Sequence, residues 1–438
     1  MRVRATILQT PAPGDLEVLE DHVLTVVDGR IESVLPAAEA GDDPCDVTLG
    51  GDSVLLPGLI DTHVHAPQWP QRATGLDLPL ERWLFEYTFP LEARYADERF
   101  AAGVYGSLVR GLLSRGTTTA VYYSSIHEPA TVALASACVE HGQRAFVGRV
   151  AMDHPEGTPD YYRDDGAAQG VAASHRSIEA IRALGAGARV QPIVTPRFIP
   201  ACTDALLEGL GELAAATGVR IQTHCSEGDW EHAYVLERHG CTDAQSLANF
   251  GLMADHTVLG HATHLTDPDR ALIAGAGAGL SHCPLSNSYF ANGVFPARRN
   301  LDAGLRIGLG SDLAGGAEAS LLRQCAHAVT VSRLLESGVD TEIAADRRGV
   351  AGARIDITTA FWLATAGGAD LVGVDAGLLA PGRVFDAFAV DVGAGSAIGI
   401  VEELDDWDRI FEKVVRAGGG DVSRVWVDGR EVAGSSRR

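Results

Sequence analysis

Lysine is almost missing from this 438-residue chain, where Lys413, near the C-terminus, stands alone. That scarcity bears on metal chemistry. Hydrolases that bridge two metal ions often do so with a carboxylated lysine, and the central part of this chain has none to offer. A metal site here is therefore expected to hold one ion. Positive charge is short in general, with a formal net charge of −23. Nucleic acid and anionic membranes call for basic surfaces, so both are disfavoured as partners, and a small neutral molecule is the expected ligand. Long apolar runs are absent too. None reaches the ~20 residues that cross a bilayer, and the first residues lack the charged-then-apolar pattern of an export signal. A cytoplasmic setting is expected. No Cys-x-x-Cys occurs among the seven cysteines. Their odd number and scatter argue for small core residues in a reducing compartment. Pro44-Cys45 also lacks the second cysteine that cytidine-type zinc deaminases require.

What the chain does have is Pro57-Gly58-Leu59-Ile60-Asp61-Thr62-His63-Val64-His65. It reads as a short buried strand, Val54 to Ile60, ending in two histidines one residue apart. Alternate strand residues point the same way, so His63 and His65 present half of a zinc site. Farther on, apolar strands alternate with helical stretches, the pattern of a parallel α/β architecture. Eight candidate strands follow one another: 54–63, 117–123, 144–152, 190–196, 220–224, 257–261, 279–283 and 306–311. Glu98 to Arg115 is apolar at helical spacing, and Thr203 is a candidate N-cap for the helix ending at Gly218. The expected fold is a (β/α)8 barrel over residues 58–383. The Asp-Gly hairpin at Val26–Ile31 is matched by a second at Val425–Val432, which predicts that the two ends of the chain, residues 1–57 and 384–438, come together in one small β domain.

In such a barrel the chemistry gathers where strands end. Strand five ends in His224-Cys225-Ser226-Glu227, strand six in Gly260-His261 and strand eight in Gly310-Ser311-Asp312. One strand-end histidine is more often structural, and one aspartate is commonly a helix cap. Their recurrence at one end of the barrel is harder to assign to chance. His63, His65, His224 and Asp312 supply three nitrogens and one oxygen, a set zinc accepts, and the ion would bring a water's pKa toward neutrality. Glu227, three residues after a ligand, is placed to move a proton, Asp312 to orient the water, and His261 to hydrogen-bond it. His264 falls on the other side of an extended strand and is set aside. His282 is left without a role, and His22, His141, His175, His232 and His239 are read as solvated or helical.

The stretch from Pro57 to His65 resembles the first-strand motif of the amidohydrolase superfamily. Pro67-Gln68, Gly75-Leu76-Asp77-Leu78-Pro79-Leu80-Glu81-Arg82-Trp83-Leu84 and Tyr87-Thr88-Phe89-Pro90-Leu91-Glu92 narrow the resemblance to its guanine deaminase branch. So do Gly116-Thr117-Thr118-Thr119, Gly142 to Gly148, Pro192-Ile193-Val194-Thr195-Pro196-Arg197-Phe198, Ser281-His282-Cys283-Pro284 and Gly308 to Gly316. That resemblance implies one zinc ion per subunit, a (β/α)8 barrel with a small β-sandwich built from both termini, a homodimer, and hydrolysis of guanine to xanthine and ammonia with Glu227 as proton carrier. It also implies substrate contacts from Gln68 and Arg197 on the purine edges and from Phe198 on the ring, alongside His224, Glu227 and Asp312. Leu285 departs from the pattern, since relatives often carry a polar residue there. The alternatives are a deaminase of another aminopurine, of an adenosine-containing thioether or of a triazine, and a non-catalytic scaffold barrel. Residues 67–92 are expected to form a loop beside the pocket.

Overall fold

The computed structural model describes residues 1–290, 293–400 and 406–434. Strands β1 (Arg2–Ala12), β2 (Asp15–Val27) and β3 (Arg30–Pro36) form an antiparallel meander. The β2–β3 turn is Asp28-Gly29, with φ of 49° and 79°. Two consecutive left-handed residues are the turn that matches strand twist, and Asp-Gly adopts it readily. The two-residue β4 (Val47–Thr48) and β5 (Ser53–Pro57) run parallel to β1.

The parallel strands follow. They are β6 (Leu59–His65), β7 (Thr117–Tyr123), β8 (Arg144–Gly148), β9 (Val150–Ala151), β10 (Val190–Pro192) and β11 (Thr195–Pro196), then β12 (Gln222–Cys225), β13 (Val258–His261), β14 (Gly279–His282) and β15 (Arg306–Leu309). One sheet has the order β10-β8-β7-β6, another β12-β13-β14-β15, and β9 pairs with β11. Single parallel bridges, Val194 to Ile221 and Val64 to Leu313, lie at the two seams. Strands such as β7 are buried along their whole length, as expected where helices cover a parallel sheet. Between the strands, Asp97 accepts hydrogen bonds from the first turn of helix Glu98–Leu113. Thr203 caps Asp204–Thr217, as its sequence context predicts, and Gly218 ends that helix at φ 66°.

The chain then returns to the first sheet through β16 (Ala387–Asp391), β17 (Val422–Val427) and β18 (Arg430–Gly434). The complete order is β18-β17-β16-β5-β1-β2-β3, with β4 on β1. The two Asp-Gly turns belong to opposite ends of this order, yet they touch. A Cβ placed on Gly429 would lie 3.2 Å from Gly29 Cα. The sheet therefore curls over, and both ends of the chain share it. Residues 401–405 and 435–438, part of the expected C-terminal β unit, lie outside the described residues. A buried ion pair ties this sheet to β8: Arg144 Nε donates to Asp386 Oδ2 at 3.0 Å, and its Nη2 reaches Asp386 and Asp428.

Two sequence expectations change. The stretch 54–63 is two strands, not one. Gly58 divides β5 from β6, and a Cβ there would sit 2.1 Å from Thr118 Oγ1, so the chain can cross between sheets only at a glycine. Strand β6 then continues through His65, placing both histidines inside the strand rather than after it. The segment 67–92 is also no plain loop. Short helical turns span Ala66–Gln71, Leu80–Trp83, Leu84–Thr88 and Phe89–Ala93.

Candidate active site

His63 and His65 lie on one face of β6, and each Nε2 is 3.4 Å from Asp312 Oδ1. His224, on β12, donates from Nδ1 to the Arg197 carbonyl at 2.6 Å, which leaves its Nε2 with a free lone pair. That Nε2 faces His65 Nε2 at 3.0 Å. Neither ring nitrogen of His63 has a hydrogen-bond partner among the described residues. Three imidazoles and a carboxylate thus converge, and buried donors of this kind can hold a metal ion. Burial, helped by neighbouring imidazoles, pushes His63, His65 and His224 well below the usual histidine range. Neutral rings are the form that binds metal.

Tight backbone geometry aims these groups. Ser226, His261 and Asp312, each just at or past a strand end, have φ of 40°, 66° and 47°. Non-glycine residues seldom occupy that region, and they cluster where a site over-determines them. Asp61 ties the first strand to the last: its Oδ1 accepts from Ser311 N at 2.8 Å and from His63 N at 3.3 Å. Two glycines box in His63. A Cβ on Gly260 would lie 2.7 Å from its Cε1, and one on Gly310 would lie 2.8 Å from its Cβ.

His261 donates from Nδ1 to Asn287 Oδ1 at 2.8 Å, so its Nε2 faces Glu227 Oε2 at 3.7 Å and Asp312 Oδ2 at 4.0 Å. Burial, and then the charge of Asp312, drives the Glu227 carboxyl well above the ordinary glutamate range. A carboxyl that keeps its proton this readily suits general-acid work. The backbone N–H of Glu227 donates to Glu231 at 2.7 Å, which fixes the turn that carries it.

These groups open into a cavity lined also by Gln68, Arg197 and Phe198, with Leu80, Trp83, Leu84 and Phe290 on its apolar wall. Arg197 is buried and pairs with Glu92: Nη1 to Oε2 is 2.6 Å and Nη2 to Oε1 is 3.2 Å. Gln68 donates from Nε2 to Glu92 Oε1 at 3.0 Å and accepts at Oε1 from Ala314 N at 3.2 Å. Of the residues singled out from the sequence, His65, Gln68, Arg197, Phe198, His224, Glu227 and Asp312 line this cavity, and His63 and His261 lie behind it, at 3.4 Å and 4.0 Å from the Asp312 carboxylate. Sequence reasoning gave no role to Glu92, Asn287 or Glu231. Glu92 was part of a recognised motif, but nothing marked it as the partner of two pocket residues.

The other histidines lie elsewhere. His264 stacks on His232 and meets Asp229 at 2.8 Å. His282 is buried flat against Phe295, and burial pulls it down to about 3. Leu285 is buried in the short helix Pro284–Phe290 and is not among the residues lining the cavity.

A family model described as "Amidohydrolase family" matches residues 54–432. The chain belongs to that family. Among similar proteins is a probable guanine deaminase of Schizosaccharomyces pombe, 37% identical, with 98% of this chain and 82% of the relative covered. The guanine deaminase of Homo sapiens is 32% identical, covering 98% of this chain and 96% of its own. Among solved structures, the guanine deaminase from C. acetobutylicum with bound guanine in the active site superimposes with a TM-score of 0.86. It is 28% identical and covers 99% of each chain. Among the described residues of this family member, no helix is long and apolar enough to cross a membrane.

Proposed function

We propose that this chain deaminates guanine hydrolytically to xanthine and ammonia. The observation that carries the reading is the confluence, at one cavity, of the histidine–aspartate cluster with Glu227 and with Gln68, Arg197 and Phe198. Relatives named guanine deaminase, similar over nearly the whole chain, support it. A flat neutral purine wants an aromatic wall and a few fixed donors, which Phe198, Arg197 and Gln68 supply.

His63, His65, His224 and Asp312 would hold one zinc ion, whose contribution is to make water acidic enough to attack near neutral pH. Asp312 and His261 orient that water toward the carbon bearing the exocyclic amine. Glu227 gives its proton to the ring nitrogen beside that carbon as the water adds, and takes one proton from the water in return. It then passes that proton to the departing amine, and the hydroxyl's remaining proton returns to Glu227 as the carbonyl forms and ammonia leaves. Phe198 holds the ring plane while Arg197 and Gln68 fix its edge, so the reacting carbon stays in line. The finer architecture belongs to the same reading: the two parallel sheets close at their bridged seams into a (β/α)8 barrel of residues 58–383. The curled terminal sheet folds into a sandwich from residues 1–57 and 384–438. The enzyme works as a cytoplasmic homodimer with one zinc per subunit.

Ammonia release and ultraviolet spectra of zinc-loaded protein with guanine, 8-oxoguanine, adenine, ammeline and S-adenosylhomocysteine test this. Guanine should lead by a wide margin, and Glu227→Gln should cut kcat by roughly 10²–10⁴ with zinc retained. Inert guanine beside another hydrolysed amine would overturn the substrate; silence across the panel with zinc bound would overturn the activity.

A further inference from the structure

Glu92 does not line the cavity, yet it touches both residues that read the substrate edge. It is 1% exposed, and both of its oxygens are engaged. Oε2 accepts from Arg197, while Oε1 accepts from Arg197 and from Gln68. The three residues come from separate segments: Gln68 from the turn Ala66–Gln71, Glu92 from Phe89–Ala93, and Arg197 from the end of β11. Glu92 is what makes them one rigid unit. A planar guanidinium gripped by a carboxylate keeps its remaining N–H groups in a fixed plane. The Arg197 guanidinium also lies 5.0 Å from the Phe89 ring, which limits its tilt.

The charge matters as much as the aim. Arg197 is buried, and an uncompensated cation there would draw any anion strongly in the low dielectric of the pocket. Guanine is neutral. Its deamination product is more acidic, and xanthine is largely a monoanion in mildly alkaline solution. We propose that Glu92 is the positioning and specificity-setting residue of this pocket. It aligns Arg197 and Gln68 as a single donor unit and cancels the charge of Arg197, so the pocket favours a neutral purine and lets an anionic product go. This rests on the guanine reading above.

The test compares Glu92→Gln and Glu92→Asp with the parent in zinc-loaded, full-length protein. The readouts are kcat and KM for guanine, the inhibition constant of xanthine at mildly alkaline pH, zinc content and thermal unfolding. For Glu92→Gln, KM for guanine should rise about tenfold or more while kcat stays within about threefold. Xanthine should bind more tightly relative to guanine, so the ratio of its inhibition constant to KM falls about tenfold. Glu92→Asp keeps the charge but shortens the reach, so KM should rise while that ratio stays near the parent value. A ratio unchanged in Glu92→Gln, or kcat, KM and inhibition moving together with lost thermal stability, would overturn the proposal. If Glu92→Gln does not fold, a shifted ratio in Glu92→Asp overturns it equally. Guanine inert with the parent would instead overturn the substrate reading, which keeps the two failures distinct.

Discussion

Replacing Gly260 by alanine pushes one methyl group against His63. Gly260 has ordinary backbone angles for any residue, so the effect is one of space alone. The added Cβ would begin 2.7 Å from His63 Cε1, and ordinary contact starts near 3.4 Å, so the ring must retreat by about 0.7 Å. It has little room, because Gly310 closes on its Cβ and Tyr123 lies 4.7 Å from its ring centre. Overpacking of this kind costs about 1–3 kcal/mol of stability. The loss at the site should be larger. Metal–ligand lengths tolerate about ±0.2 Å, and a misplacement near 1 Å near reacting groups can cost about 10²-fold in rate. Gly260→Ala should therefore unfold only a few degrees below the parent, yet bind zinc poorly and lose about 10²-fold in kcat/KM. Zinc per subunit by elemental analysis, thermal unfolding and steady-state kinetics measure the three effects. Full zinc content with kcat/KM within about threefold of the parent would refute the boxed-histidine argument.

Arg144→Met leaves Asp386 buried without its partner and should cost about 3–5 kcal/mol in urea unfolding, with KM for guanine unchanged because Arg144 begins β8, at the end away from the site. Stripping the metal with a chelator should abolish turnover and lower the unfolding temperature, and added zinc should restore both as binding is linked to folding. His232 is raised above its ordinary value, chiefly by its hydrogen bond to Asp243. A raised histidine stabilises the fold in full below its unfolded value and loses that effect as pH climbs through its folded value. The difference in urea midpoint between parent and His232→Gln should accordingly be greatest near about pH 6 and shrink above neutrality; a difference that grows with pH would contradict the pairing.

Strand-end chemistry was legible from sequence because periodicity locates strands and a parallel α/β pattern says which end matters. His63, His65, His224, His261 and Asp312 were expected near one another on that ground, and the structure brings them together. What stayed hidden depended on contacts between distant segments. Nothing in the local sequence of Glu92 says that Arg197, 105 positions away, will meet it in the core. Asn287 orients His261 across 26 positions, and no pattern marks it. Boundaries failed for a different reason. Val54 to Ile60 carries no polar side chain, and only the crowding of Gly58 against Thr118 shows that the chain changes sheets there. The 67–92 segment misled because proline and aromatic residues were read as loop, whereas tertiary packing draws them into helical turns.

The shared terminal sheet has a consequence for how the chain must be made. Strand β5 takes β1 on one edge and β16 on the other, and β16 begins only at Ala387. During synthesis the first strands emerge hundreds of residues before their last neighbour exists. Until then β5 offers an open, apolar edge to any other nascent chain. The parallel strands between can assemble meanwhile, and the closing event is the late arrival of β16, β17 and β18. The emergence of β16, rather than that of β1 and β5, is then the moment at which this edge is covered against other copies of the chain.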